Sequence, residues 1–300
     1  MQSVDPRNKN LYIYVNGEIL KRSDAKISVF DSVVQGGDAV WEGLRVYKGK
    51  TFGLHEHLQR LQDSALAMAF NAIPTNEFII DAIKQTLSAN KMTDEVHMRM
   101  TLTRGEKITS GMDPRLNQAG CGLIVLAEWK PPIYDLNKRR TLITSSTRRN
   151  SPLCIDSKIH HNNLINNILA KIEANVAQAD AALMLDIYGF VAEVNATNIF
   201  MIKNGILYTP FADACLPGIT RSKVLEIAKR HNIPHQEKNL SLTEFYTADE
   251  VFTSGTMSEL VPVSRIDGRN ISPNPAFPLL MPVLYDHLQV LIQKEAIQII

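Results

Sequence analysis

The spacing of apolar residues divides the first half of the chain into strands, helices and strands again. From Leu11 to Val15 aliphatic residues alternate with tyrosines, and Asn16-Gly17 follows, which predicts a strand opening a hairpin. Val40 to Tyr47, followed by Lys48-Gly49-Lys50, repeats that pattern. Between His55 and Phe70, Leu58, Leu61, Ala65, Leu66, Met68 and Ala69 recur at helical spacing. A second helix is expected from about Asn76 to Ala89, opened by Pro74 and Thr75. His97 to Thr103 and Gly122 to Ala127 are strand-like, separated by a loop from Gly105 to Gly120.

The second half is also mixed. Strands are expected at Thr141–Ser146, Ala181–Asp186 and Asn198–Ile202, the last closed by Asn204-Gly205. Helices are expected at Asn162–Gln178, Ile219–His231 and from about Ala276, with a capping box at Ser241-Leu-Thr-Glu244. Val251-Phe252 leads into Thr253-Ser-Gly-Thr256, read as a turn after a strand. No regular strand–helix alternation and no repeat is present, so the fold class is α+β with mixed sheets.

Composition narrows the function classes. Three hundred residues suit two domains. Two consecutive prolines, Pro131 and Pro132, mark the linker, which gives an N-terminal domain over 1–130, a linker over 131–139 and a C-terminal domain over 140–300. A net charge of +1 with mixed signs makes no electrostatic case for nucleic acid or membrane binding. Three scattered cysteines without CxxC spacing fit a reducing compartment and argue against disulfides or zinc. The polar start, MQSVDPRNKN, lacks the apolar core of a signal peptide, and no run approaches the roughly 20 apolar residues of a membrane span. A cytoplasmic, soluble protein is the expectation.

Candidate chemistry centres on Lys158. Asp156, Ser157, His160, His161 and two asparagines crowd it at the mouth of a helix. A solvent-facing lysine needs no such company, whereas one that must shed a proton and attack a carbonyl does. Two segments suit an anion: Leu216-Pro-Gly-Ile-Thr-Arg221, at a helix start, and Thr253-Ser-Gly-Thr-Met-Ser258, rich in hydroxyls. Either could equally be a plain cap or turn, and neither is a Walker or GxGxxG motif. Glu193 lies among apolar strand residues, where a carboxylate needs a positive partner: an arginine, or the protonated ring nitrogen of a cofactor. Arg60 lies beside an apolar helix face and Arg99 sits mid-strand between methionines. Arg148-Arg149 reads as a solvated pair. His160 and His161, without a carboxylate at ligand spacing, do not make a metal site.

In this order, these residues resemble the fold-type IV aminotransferases that depend on pyridoxal 5′-phosphate (PLP), most of all the branched-chain amino acid aminotransferases. The most specific pieces are Glu42-Gly-Leu-Arg-Val-Tyr47, Glu56-His-Leu-Gln-Arg-Leu61, Glu193-Val-Asn-Ala-Thr-Asn-Ile-Phe200, Leu216-Pro-Gly-Ile-Thr-Arg221 and Ser254-Gly-Thr-Met-Ser-Glu-Leu-Val-Pro262, spread over roughly Leu11 to Gly268. The resemblance implies two α+β domains of the D-amino acid aminotransferase-like type. Lys158 is implied to be the Schiff-base lysine and Glu193 the partner of the pyridine nitrogen. Arg60, the Ile219 and Thr220 backbone amides and the Thr256 hydroxyl are implied to hold the phosphate, with Leu216 against the ring. Arg99, Trp41, Thr256 and Met257 are implied to face substrate.

The implied reaction moves an amino group from a branched-chain-like L-amino acid to 2-oxoglutarate by a ping-pong mechanism. Cousins acting on D-amino acids or (R)-amines, and aminodeoxychorismate lyases, share the fold and remain the alternative. A homodimer or higher homo-oligomer is implied, with the Gly105–Gly120 loop as a candidate cover and the active site expected between the two domains. Departures bear on substrate choice. Asn163 and Gly36 stand where branched-chain enzymes carry tyrosines, and the stretch after Lys158 runs a residue or two longer.

Overall fold

The computed structural model describes residues 5–130 and 139–300, so the Pro131-Pro132 linker falls outside the described residues. The chain gathers into two compact units. The first is Met1–Pro132 with Ile159–Asn163 and Glu295–Ile300, and the second is Ile133–Lys158 with Leu164–Lys294.

The first unit opens with β1 (Tyr12–Val15) and β2 (Glu18–Lys21), an antiparallel hairpin. Its turn residues Asn16 and Gly17 have φ of 50° and 101°, the left-handed geometry that two-residue hairpins demand. After the short helix α1 (Ser32–Gly36), β3 (Ala39–Tyr47) leads to β4 (Lys50–Thr51). The helices α2 (Leu54–Ala67) and α3 (Asn76–Asn90) follow, then β5 (Val96–Thr103) and β6 (Gly122–Trp129). Among the described residues the sheet order is Ile297–Gln298, β4, β3, β5, β6, β1, β2, antiparallel throughout.

Helix α2 buries Leu54, His57, Leu58, Leu61, Ser64 and Ala65, a stripe at three- and four-residue spacing. Thr75 caps α3 by accepting from the Phe78 amide, and Lys91, at φ 55°, ends it. The stripe of α2 packs with Val40, Leu44, Met98 and Met100 of the sheet in one apolar core. Leu61→Ala there would cost about 2–5 kcal/mol. Trp41 and Arg99 face each other across the β3–β5 ladder, Trp41 pairing with Thr101 and Arg99 with Gly43.

In the second unit the strands are β7 (Arg140–Thr144), β8 (Ala181–Leu185), β9 (Val191–Val194), β10 (Asn198–Lys203), β11 (Ile206–Thr209), β12 (His235–Glu237), β13 (Glu250–Gly255), β14 (Glu259–Ile266) and β15 (Arg269–Asn270). Helices α4 (Ile165–Val176), α5 (Ile219–Arg230), α6 (Leu242–Tyr246) and α7 (Met281–Glu295) complete it. The order β12, β11, β10, β13, β14, β7, β8, β9 is mixed, with parallel steps at β11–β12, β14–β7 and β7–β8, and β15 added on β14. Strands β8 and β9 are buried along their whole length, so their patterns are continuous rather than alternating.

Several expected boundaries shift. The helix expected from Asn162 starts at Ile165, because Asn162 donates its amide to the Ala39 carbonyl and Asn163 its side chain to the Gly37 carbonyl. Thr253, Ser254 and Gly255 belong to β13, paired with Val261, Leu260 and Glu259, so the turn is confined to the residues after Gly255. The last helix starts at Met281, where Glu250 accepts the Leu280 and Met281 amides.

Candidate active site

Three segments of the second unit carry the candidate site. Glu193 lies on β9, and only 6% of it is exposed. Burial drives its carboxyl up to about 7, against the opposing pull of Arg149 and a Leu216 backbone hydrogen bond. Its Oε1 stands 2.9 Å from Arg149 Nε, and Asn198 Nδ2 donates to its Oε2 at 3.2 Å. Arg149 is therefore a buried ion-pair partner, not the solvated arginine expected from its neighbourhood. It also donates to Asn167 Oδ1 at 2.9 Å. A buried charge survives only when paired and hydrogen-bonded, and a dibasic dipeptide carries no mark of that fate.

Asn198 ties this carboxylate to the next segment by donating to the Leu216 carbonyl at 2.9 Å. Gly218 then opens α5, and a Cβ there would stand 2.0 Å from Asn198 Oδ1, so glycine is required for the close approach. No side chain caps this helix start, which leaves its first-turn amides, Ile219 and Thr220 among them, to an outside acceptor. Arg221 anchors the same turn by donating to the Pro210 carbonyl at 2.7 Å and pairing with Glu237.

The third segment is the β13–β14 connection carrying Thr256 and Met257. Ser254, opposite Asn198 in the β10–β13 ladder, and Ser258 are buried with hydroxyl oxygens that no described residue satisfies. Thr197 Oγ1 is in the same condition, and its methyl lies 3.2 Å from where a Gly255 Cβ would be. Orphaned buried hydroxyls cost about 1–3 kcal/mol each unless a ligand or water meets them. An open helix start, unspent hydroxyls and a carboxyl poised near neutrality fit a phosphorylated heterocycle with a basic ring nitrogen. Lys158, in the same unit, is exposed, and its ammonium has no partner among the described residues, while its amide donates to Asp156 Oδ1 at 2.9 Å.

The first unit holds Arg60, Trp41 and Arg99 around Glu42. Glu42 is fully buried on β3 and accepts hydrogen bonds from Arg60 Nε at 2.6 Å, Arg60 Nη2 at 2.8 Å, His57 Nδ1 at 2.6 Å and His160 Nδ1 at 2.9 Å. Burial raises its pKa, but the charge interaction with His160 and the hydrogen bonds from Arg60, His160 and His57 hold the carboxyl well below its ordinary value. Burial lowers the pKa of His160 in turn, against the pull of Glu42. A neutral imidazole there must carry its hydrogen on Nδ1, the nitrogen that faces the carboxylate. His160 also lies 4.1 Å from the Trp41 ring, and the Arg99 guanidinium sits 3.8 Å over that ring while donating to Asn162 Oδ1 at 3.3 Å. Burial lowers the pKa of Arg99. No cluster of histidine, cysteine and carboxylate residues able to hold a metal occurs among the described residues.

His57 was not singled out by sequence reasoning, Arg149 was read as solvated, and Glu42 entered only within a family motif. The two serines lie in the hydroxyl-rich segment that the sequence offered for an anion.

Residues 39–266 match the model of the amino-transferase class IV family. The chain belongs to the class IV aminotransferases. Branched-chain-amino-acid aminotransferase-like protein 2 of Arabidopsis thaliana is 61% identical over 266 residues, covering 89% of this chain and 48% of that protein. The chain thus spans about half the length of its plant relatives. The branched-chain-amino-acid aminotransferase of Escherichia coli (strain K12) is 32% identical over 86% of this chain and 85% of its own. In structure, a T.th. branched-chain amino acid aminotransferase complexed with N-(5′-phosphopyridoxyl)-L-glutamate matches at TM-score 0.88 and 32% identity, covering 97% of this chain and 99% of that one. No helix among the described residues is long and apolar enough to cross a membrane.

Proposed function

We propose that this class IV aminotransferase family member is a PLP-dependent transaminase that moves the amino group of a branched-chain-like L-amino acid to 2-oxoglutarate. The observation that carries the reading is Glu193, a buried carboxyl near neutrality joined through Asn198 to Leu216 and the uncapped start of α5. When bound, PLP supplies an electron-withdrawing ring that stabilises negative charge at the substrate α-carbon.

The chain's residues divide the work. Glu193 holds a proton for a ring nitrogen, and Arg149 fixes the orientation of the carboxyl that does so. Ile219 and Thr220 offer backbone amides to a phosphate, Thr256 offers a hydroxyl, and Arg60 adds charge. Leu216 would lie against the ring. Lys158 Nζ would hold the cofactor covalently and, once the substrate amine displaces it, would be free to move a proton at the substrate α-carbon. Arg99, backed by Trp41, receives a substrate carboxylate, and Met257 lines the pocket with Thr256. The names of the curated relatives support a branched-chain donor. A homo-oligomer with a cytoplasmic location is part of the same proposal.

The test is a donor panel on purified protein: L-leucine, D-alanine, (R)-phenylethylamine and L-glutamate, with half-reactions followed by visible absorption. Amino transfer from L-leucine and L-glutamate is expected. Turnover of D-alanine or the amine without L-leucine would overturn the assigned donor, and absence of any PLP binding would overturn the cofactor.

A further inference from the structure

We infer that Glu42 is a positioning residue for Arg60, with His57 and His160 fixing Glu42 in turn; this rests on the proposed role of Arg60 at the cofactor phosphate. Both carboxylate oxygens of Glu42 take donors. Oε1 accepts from Arg60 Nε and His160 Nδ1, and Oε2 accepts from Arg60 Nη2 and His57 Nδ1. A carboxylate held at both oxygens by three side chains cannot turn. The arginine bonded to it through Nε and Nη2 is therefore fixed in the plane of its guanidinium.

The supports are themselves tied down. The His160 amide donates to Ser64 Oγ at 3.1 Å, its carbonyl accepts from the Trp41 amide at 2.9 Å, and its ring rests on the Trp41 indole. Ser64 and His57 belong to α2, the helix that carries Arg60. Two residues before His160 the chain carries Lys158. The same carboxylate thus orders both the arginine and the segment that follows the lysine. His160, which sequence spacing sets aside as a metal ligand, becomes a half-buried donor that helps hold the Glu42 carboxylate.

A phosphate grip that depends on this arrangement should fail selectively for phosphorylated ligands. The experiment measures dissociation constants of the apo-protein for PLP, for pyridoxal and for inorganic phosphate, with wild type, Glu42→Gln, His160→Leu and His160→Asn. Glu42→Gln should weaken PLP and phosphate by about 10- to 100-fold, as expected for losing one charge-assisted hydrogen bond, and leave pyridoxal within about twofold. His160→Leu should move in the same direction, and His160→Asn, whose amide can reach the Nδ1 position, should recover much of the loss. Equal weakening of PLP and pyridoxal would reduce Glu42 to a structural part and overturn the inference, as would unchanged PLP affinity. If Glu42→Gln does not fold, the His160→Leu and His160→Asn pair decides by the same ratio. Wild-type protein that does not favour PLP over pyridoxal would instead overturn the phosphate role of Arg60, a separate result.

Discussion

In the ligand-free protein, Glu193→Gln should remove a fall in stability between about pH 4.5 and about pH 7. Burial lifts the Glu193 carboxyl from its ordinary 4.5 to about 7, and Arg149 offsets only part of this. Across that window the folded state keeps a proton that the unfolded state has released. Stability is therefore greatest below the unfolded pKa and is lost as pH rises through the folded one. At about 1.4 kcal/mol per pKa unit the loss comes to about 3 kcal/mol. For a chain of 300 residues, unfolding entropy of about 2 cal/mol/K per residue turns this into about 5 °C of Tm. The assay is calorimetry of both apo-proteins at about pH 5 and about pH 8, comparing slopes. The variant also leaves Arg149 without its carboxylate, but arginine stays charged at every pH used, so that penalty lowers both points alike. Identical slopes in the two proteins would refute the reasoning.

Lys158→Ala should abolish amino transfer and the visible absorption of bound PLP, yet change apo Tm by under about 0.5 kcal/mol equivalent, because the side chain is exposed and unpartnered among the described residues; a large fall in apo Tm would contradict that placement. Arg149→Met should destabilise the apo-protein by about 3–5 kcal/mol above pH 7 and less in acid, where Glu193 is protonated, as read by denaturant titration at two pH values. Gly218→Ala forces a Cβ to within 2.0 Å of Asn198 Oδ1 and should cost about 1–3 kcal/mol while weakening PLP, as checked by thermal melts with and without cofactor.

Much of the architecture was legible because it is written in local patterns. The Asn16-Gly17 and Asn204-Gly205 turns adopt the left-handed geometry that these residues tolerate, and the capping box at Ser241 forms, with Glu244 accepting the Ser241 amide. The apolar stripe of α2 faces the core as its spacing required. The misjudged helix start at Asn162 has a plain cause. Asn162 and Asn163 look like the opening of a helix, but their hydrogen bonds go to Ala39 and Gly37, more than a hundred residues away. Periodicity cannot register a distant carbonyl.

The candidate site divides in the same way. Lys158, Glu193, the helix start at Gly218 and the hydroxyl segment stand out in the chain because each sets an awkward residue in an incongruous place, and a family resemblance ordered them. Their partners do not stand out. That Arg149 rather than Arg148 is buried against Glu193, or that His57 and His160 meet on one carboxylate, depends on which residues the folded chain brings within 3 Å of each other. Sequence by itself determined many of the secondary elements, the α+β class and the family, because these follow from short-range spacing and from motifs that keep their order. Tertiary structure alone decided which charges are paired and which hydroxyls go unsatisfied, because desolvation and hydrogen-bond geometry exist only once distant segments meet.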